Sequence, residues 1–157
     1  MLPLSLTQEI GRIDHLVAMM DELVDDAQPR IQNVYSSQVV LSASGYVEAA
    51  VGVVLAEYGR TRGDIRIARY IGKNVARQNS LNCEKIEKVL RQFDKDWWPT
   101  IEAQTNAANI AAVDSLKTLR DQIAHGKNNG TGYSTVKDYY WRAKVFVVDF
   151  KSVILGP

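Results

Sequence analysis

The stretch Leu119-Arg120-Asp121-Gln122-Ile123-Ala124-His125-Gly126 puts an arginine, an acid and one of the chain's two histidines within six residues. An imidazole gives and takes protons near neutral pH. A guanidinium holds oxyanions in a fixed fork, and a carboxylate beside an imidazole favours its charged form. Such a set suits proton transfer on an anionic ligand.

These residues need a helix to position them. Ile110, Val113, Leu116, Leu119 and Ile123 recur at intervals of three and four, which predicts one buried helical face. Gly126 stands where a left-handed residue closes a helix, and Lys127 to Gly130 reads as loop. Asp121 and His125, four apart, are neighbours on the helix surface. Arg120 and His125, five apart, are offset by about 140°, yet a long arginine can still converge with the histidine on a ligand. There is also a plainer reading. A histidine near a helix C-terminus complements the exposed carbonyls, and an acid one turn earlier pairs with it. Spacing alone does not separate the two.

The rest of the chain reads as helices around that one. Its 157 residues suit one domain over 1–157 with a sizeable core, and 46% hydrophobic and 24% charged residues are ordinary for a soluble protein. A first helix is expected from Leu6 to about Ala27, with Asp21, Glu22, Asp25 and Asp26 toward its end, where acids oppose the dipole. A second runs from about Arg30 to Tyr58. Along one side fall Val34, Gln38, Leu41, Gly45, Glu48, Gly52 and Leu55, with Val40, Val47, Val51 and Val54 close by. Ser42, Ala43, Ser44 and Gly45 cost helix propensity in mid-helix, which a closely packed neighbour would explain. Glu48 among apolar neighbours wants a partner, unless it is a surface residue.

Gly59 and Gly63 are expected to bracket a break, after which Asp64 caps a third helix to about Arg77. Arg62, Arg66, Arg69, Lys73 and Arg77 form a basic stripe on it, opposite Ile65, Ala68, Ile71 and Val75. The stripe is a candidate phosphate contact or a solvated face. Ser80 or Asn82 caps the next helix, and Trp97-Trp98-Pro99, a turn or short helix, covers one end of the core or meets a second copy. A helix from Asn106 or Asn109 carries Arg120, and Ser134 caps a last helix reaching Leu155. Its inner stripe is Val136, Tyr140, Ala143, Val147, Phe150 and Ile154. No strand pattern appears, so the expected fold is an all-α, compact up-and-down bundle of five to six helices.

Several classes are excluded by inventory. The lone Cys83 forbids an intrachain disulfide and fits a reducing compartment. Two widely spaced histidines and one cysteine make no zinc cluster. There is no Gly-x4-Gly-Lys loop and no Gly-x-Ser-x-Gly elbow. No signal segment opens the chain and no apolar run reads as long enough to cross a bilayer, so a cytoplasmic protein without membrane contact is expected. Net charge is +1, which neither demands nor forbids nucleic acid. The inventory permits a reaction without metal or cofactor.

Arg-x4-His closed by Ile-Ala-His-Gly, together with Leu41-Ser42-Ala43-Ser44-Gly45-Tyr46-Val47-Glu48 upstream, resembles the HEPN superfamily, and within it the RiboL-PSP-HEPN branch. The resemblance spans roughly Ser5 to Leu155. It implies a metal-independent endoribonuclease whose composite site forms where two Arg120–His125 helices meet across a homodimer. His125 would be the general acid or base and Arg120 would hold the scissile phosphate. Asp121 would orient the imidazole, with Glu48, Gln122 and Ser44 in support. RNA would be the partner, contacted by Arg62, Arg66, Arg69, Lys73, Arg77 and Lys127. A toxin–antitoxin, defence or RNA-processing setting would follow, with an antitoxin as a further partner. In toxins paired with nucleotidyltransferases a tyrosine often stands two residues after the histidine. Lys127 stands there in this chain, so that regulation is not implied. The opposing expectations are a non-catalytic bundle that binds protein or nucleotide or simply dimerises, and an RNA-binding subunit that does not cleave.

Overall fold

A computed structural model describes residues 4–23, 25, 28–76, 78, 80–127 and 130–156. It is an all-helical bundle of seven helices, with no strand among the described residues: α1 (Leu4–Leu23), α2 (Pro29–Arg62), α3 (Ile65–Ala76), α4 (Cys83–Leu90), α5 (Trp97–Gln104), α6 (Ala107–Ala124) and α7 (Tyr133–Leu155). The count exceeds the expected five to six because Trp97 to Gln104 winds into a helix of its own. Trp98 is buried there, and Trp97 stacks on Phe93 at 5.9 Å and meets Tyr58 edge-on at 4.9 Å. These rings cover one end of the core.

The long α2 is the spine, packed against α1, α3, α6 and α7. Its inner row is Val39, Val40, Ala43, Val47, Val51 and Val54, while Val34 and Leu41 on the other side stay exposed. By length and composition α2 could cross a bilayer, with a window of mean hydropathy 1.8, which corrects the expectation that no such run exists. Yet 56% of that window is buried among the other helices, as in a core helix. In the expected closely packed stretch of α2, Ala43 and Ser44 are buried but Gly45 is exposed. A Cβ at Gly45 would meet nothing within 4 Å, whereas one at Gly59 would lie 2.6 Å from Ile71 Cδ1 and 3.3 Å from Ala68 Cα. Gly59 therefore admits α3 and does not break α2, which runs on to Arg62.

Caps set the other boundaries. Asp64 takes the Arg66 amide at 2.7 Å, Asn82 takes that of Lys85 at 3.0 Å, and Asn106 takes that of Asn109 at 2.9 Å. Each satisfies an amide that the first helical turn leaves unpaired. Ser134 is not a cap; α7 begins at Tyr133, after Gly132. All six residues of the expected α7 stripe are buried.

Two polar clamps fasten α1 to α7. The Tyr133 hydroxyl donates to Val17 O at 2.9 Å and to Asp21 Oδ1 at 3.0 Å, and Lys137 Nζ reaches Asp21 Oδ2 at 2.6 Å. Two turns further along α7, Tyr140 donates to Asp14 Oδ1 at 2.6 Å and Lys144 Nζ lies 2.9 Å from the same oxygen. Asp21 thus has a structural reason to stand near a helix C-terminus. The rest of the expected α1 extension, apart from Asp25, lies outside the described residues.

Candidate active site

The end of α6 is built as its sequence suggests. Gly126 adopts φ 70°, its amide donates to Ile123 O at 3.0 Å, and the Lys127 amide donates to Gln122 O at 2.9 Å. That pair of bonds around a left-handed residue is a Schellman closure. It leaves His125 as the exposed C-cap, its own amide donating to Asp121 O at 3.0 Å. Gln122 therefore contributes through its backbone, and Lys127 is exposed just past the closure.

Arg120 and Asp121 are held by a residue that the sequence reading placed only as a possible cap. Ser80, in the loop between α3 and α4, accepts from Arg120 Nη1 at 3.2 Å and donates to Asp121 Oδ1 at 3.1 Å. Its backbone is in the left-handed region at φ 62°, where a side chain other than glycine is strained. Its neighbours secure it. The Leu81 amide donates to Glu48 Oε1 at 3.0 Å, and Lys85 Nζ donates to Ser80 O at 3.1 Å. Below the loop, the Cys83 amide donates to Asp114 Oδ1 at 2.7 Å, tying the start of α4 to α6. Glu48 has its partner one residue from Ser80, so α2 reaches the Arg120 end of α6 through this loop.

Asp121 departs from its expected role. Its carboxylate pairs with Lys117 one turn back and with Ser80, not with His125. The hydrogen-bonded Lys117 ammonium lowers the Asp121 pKa below the usual carboxylate range. Burial opposes this, and the Ser80 hydroxyl and the charges of Lys117 and Arg120 add to the lowering. Asp121 is thereby kept as an anion that steers Ser80 and Arg120, while the His125 ring has no hydrogen bond or ion pair among the described residues. The i,i+4 spacing served Lys117 as well as His125, and the cation on the buried side won.

Among the other expected residues, Ser44 is buried in α2 and makes no hydrogen bond to the site among the described residues. Arg62, Arg66, Arg69 and Lys73 are exposed along the end of α2 and α3. Ala68, Ile71 and Val75 face inward as expected, but Ile65 is 59% exposed because α3 has only begun to turn there. Arg77 lies outside the described residues. Sequence reading missed Lys117 and the site role of Ser80. Lys117 was legible from its spacing to Asp121; Ser80, 40 residues from Arg120, left no local signal. No group of three or more His, Cys, Asp and Glu side chains suited to a metal ion occurs among the described residues.

A family model described as RiboL-PSP-HEPN matches residues 8–156. The chain belongs to the RiboL-PSP-HEPN family, within the HEPN superfamily. No curated protein and no solved structure matches it.

Proposed function

We propose that this chain is a metal-independent endoribonuclease that acts as a homodimer, with two α6 ends facing one RNA strand. The observation that carries the reading is Arg120-x4-His125 on the last turns of α6, with His125 exposed and Arg120 held by Ser80 in a chain of this family. His125 would take the proton of a ribose 2′-hydroxyl or deliver one to the leaving oxygen. Arg120 would bind the scissile phosphate and stabilise the charge that grows on it. As the 2′-oxygen bonds to phosphorus the bond to the 5′-oxygen breaks, leaving a 2′,3′-cyclic phosphate and a 5′-hydroxyl that carries the transferred proton. Asp121 is assigned as a positioning residue acting through Ser80 and Arg120. The surroundings we propose are cytoplasmic, in a toxin–antitoxin, defence or RNA-processing setting.

The test is RNA cleavage in excess chelator by the native protein, His125→Ala and Arg120→Ala. Cleavage that survives chelation, leaves cyclic phosphate ends and is lost in both variants supports the reading. The absence of cleavage across several RNA classes, with the dimer established, would sink it. A second reading, a non-catalytic HEPN bundle that binds a partner, draws support from the engagement of Asp121 by Lys117 and Ser80 and the unpartnered His125 ring.

A further inference from the structure

The outward face of α3 gathers cations with almost no acid among them. Between Arg62 and Ala76 the chain has four cations and a single acid, Asp64, whose carboxylate is occupied by the Arg66 amide. Elsewhere Arg60, Lys88, Arg91, Lys117, Lys137, Arg142 and Lys144 each have a carboxylate partner, and the cations without one among the described residues, such as Arg12, Arg30 and Lys95, are scattered along the chain. None of Arg62, Arg66, Arg69 and Lys73 has an ion pair among the described residues. In their midst stands Tyr70, 70% exposed. At about 100° per residue, Arg66, Arg69, Tyr70 and Lys73 fall within one outward arc of α3, opposite Ala68, Ile71 and Val75.

We infer that this face is a docking surface for an unpaired RNA strand, with Tyr70 as the platform on which a base stacks and the three flanking cations on the phosphates. It rests on the ribonuclease reading above for the identity of the nucleic acid as RNA. An exposed ring among unpaired cations suits single strands, whose bases are free to stack, and offers nothing to the paired bases of a duplex. A second copy of the chain is a poor occupant, because a two-fold contact would set these cations against themselves. The placement also fits the site. Ala76 at the end of α3 is four residues from Ser80, at most about 14 Å of extended chain, and Ser80 holds Arg120. A strand lying on α3 is therefore led toward the phosphate-binding arginine.

The experiment is fluorescence anisotropy with a labelled 20-nucleotide RNA, single-stranded or annealed to its complement. The full chain carries His125→Ala so that the RNA stays intact. The single strand should bind more tightly than the duplex. Tyr70→Ala should weaken single-strand binding about tenfold, leaving duplex binding unchanged, whereas Tyr70→Phe should stay within about twofold. Arg66→Glu with Arg69→Glu should weaken both RNAs and flatten the salt dependence. Equal affinity for strand and duplex, a Tyr70→Ala variant that binds like its parent, or no single-strand binding at low salt would overturn the proposal. The two readings fail separately. Cleavage that requires His125 but is indifferent to Tyr70 removes this surface and keeps the enzyme. Tyr70-dependent binding with no cleavage by the native chain keeps the surface and removes the enzyme.

Discussion

Arg120 Nη1 donates to Ser80 Oγ at 3.2 Å, joining the proposed phosphate-binding arginine to a loop residue with φ 62°. The same hydroxyl donates to Asp121 at 3.1 Å, so one serine fixes two neighbouring side chains of α6. Strain of this kind persists only where surrounding contacts over-determine the backbone, and here Glu48 and Lys85 supply them.

Replacing Ser80 should separate strain from positioning. Ser80→Ala keeps the strained backbone and loses the hydroxyl, and Ser80→Gly loses both. Ser80→Gly should be more stable than Ser80→Ala by about 1 kcal/mol. Both should lower kcat about tenfold, the scale of one lost hydrogen bond to a charged group. Urea denaturation and single-turnover cleavage read the two effects. Full activity in both variants would show that Arg120 needs no such anchor.

Glu48→Ala leaves the Leu81 amide without its acceptor and should cost about 1–3 kcal/mol. Glu48→Gln retains an acceptor oxygen and should cost less than about 1 kcal/mol. Thermal melts compare them, and equal losses would mean that the charge of Glu48, and not its hydrogen bond, holds the loop.

Tyr46 is only 1% exposed and its hydroxyl has no hydrogen-bond partner among the described residues. Burial, with the nearby charges of Glu9 and Asp14, pushes its pKa well up. Removing an unpaired buried hydroxyl relieves a desolvation cost, so Tyr46→Phe should match the native protein or gain about 1 kcal/mol. A loss of that size in equilibrium unfolding would reveal a hidden partner.

Stability should fall at both ends of the pH scale. Burial, then hydrogen bonds to carboxylates, raise the Tyr133 and Tyr140 pKa values above the ordinary range. The unfolded chain loses those protons first, so stability is full below about pH 10 and falls above it. Asp21 is shifted downward, chiefly by its hydrogen bond from Lys137 and, against the pull of burial, by that from Tyr133. Its contribution is present above about pH 4 and is lost as pH falls further. Urea midpoints measured across pH should show both limbs, with the acid limb shallower in Asp21→Asn. An unchanged acid limb in that variant would exclude the α1–α7 clamp as its cause.

The all-helical fold, the buried face of α7 and the glycine closure after His125 were legible in the chain, because each follows from periodicity or from the φ of one residue. So was the inward face of α3, apart from Ile65. The break at Gly59 was misread because a glycine that interrupts a helix and one that admits a neighbour look alike in sequence. Asp121 is the sharper case. Its spacing suits both Lys117 and His125, and only packing shows that Lys117 and Ser80 take the carboxylate. Residue types and helical spacing alone put an arginine, an acid and a histidine at one helix end. The hand-off from Glu48 through Leu81 and Ser80 to Arg120 was left to the tertiary structure, because it crosses gaps of 33 and 40 residues. Contacts at such range depend on where whole helices pack, which no local pattern encodes.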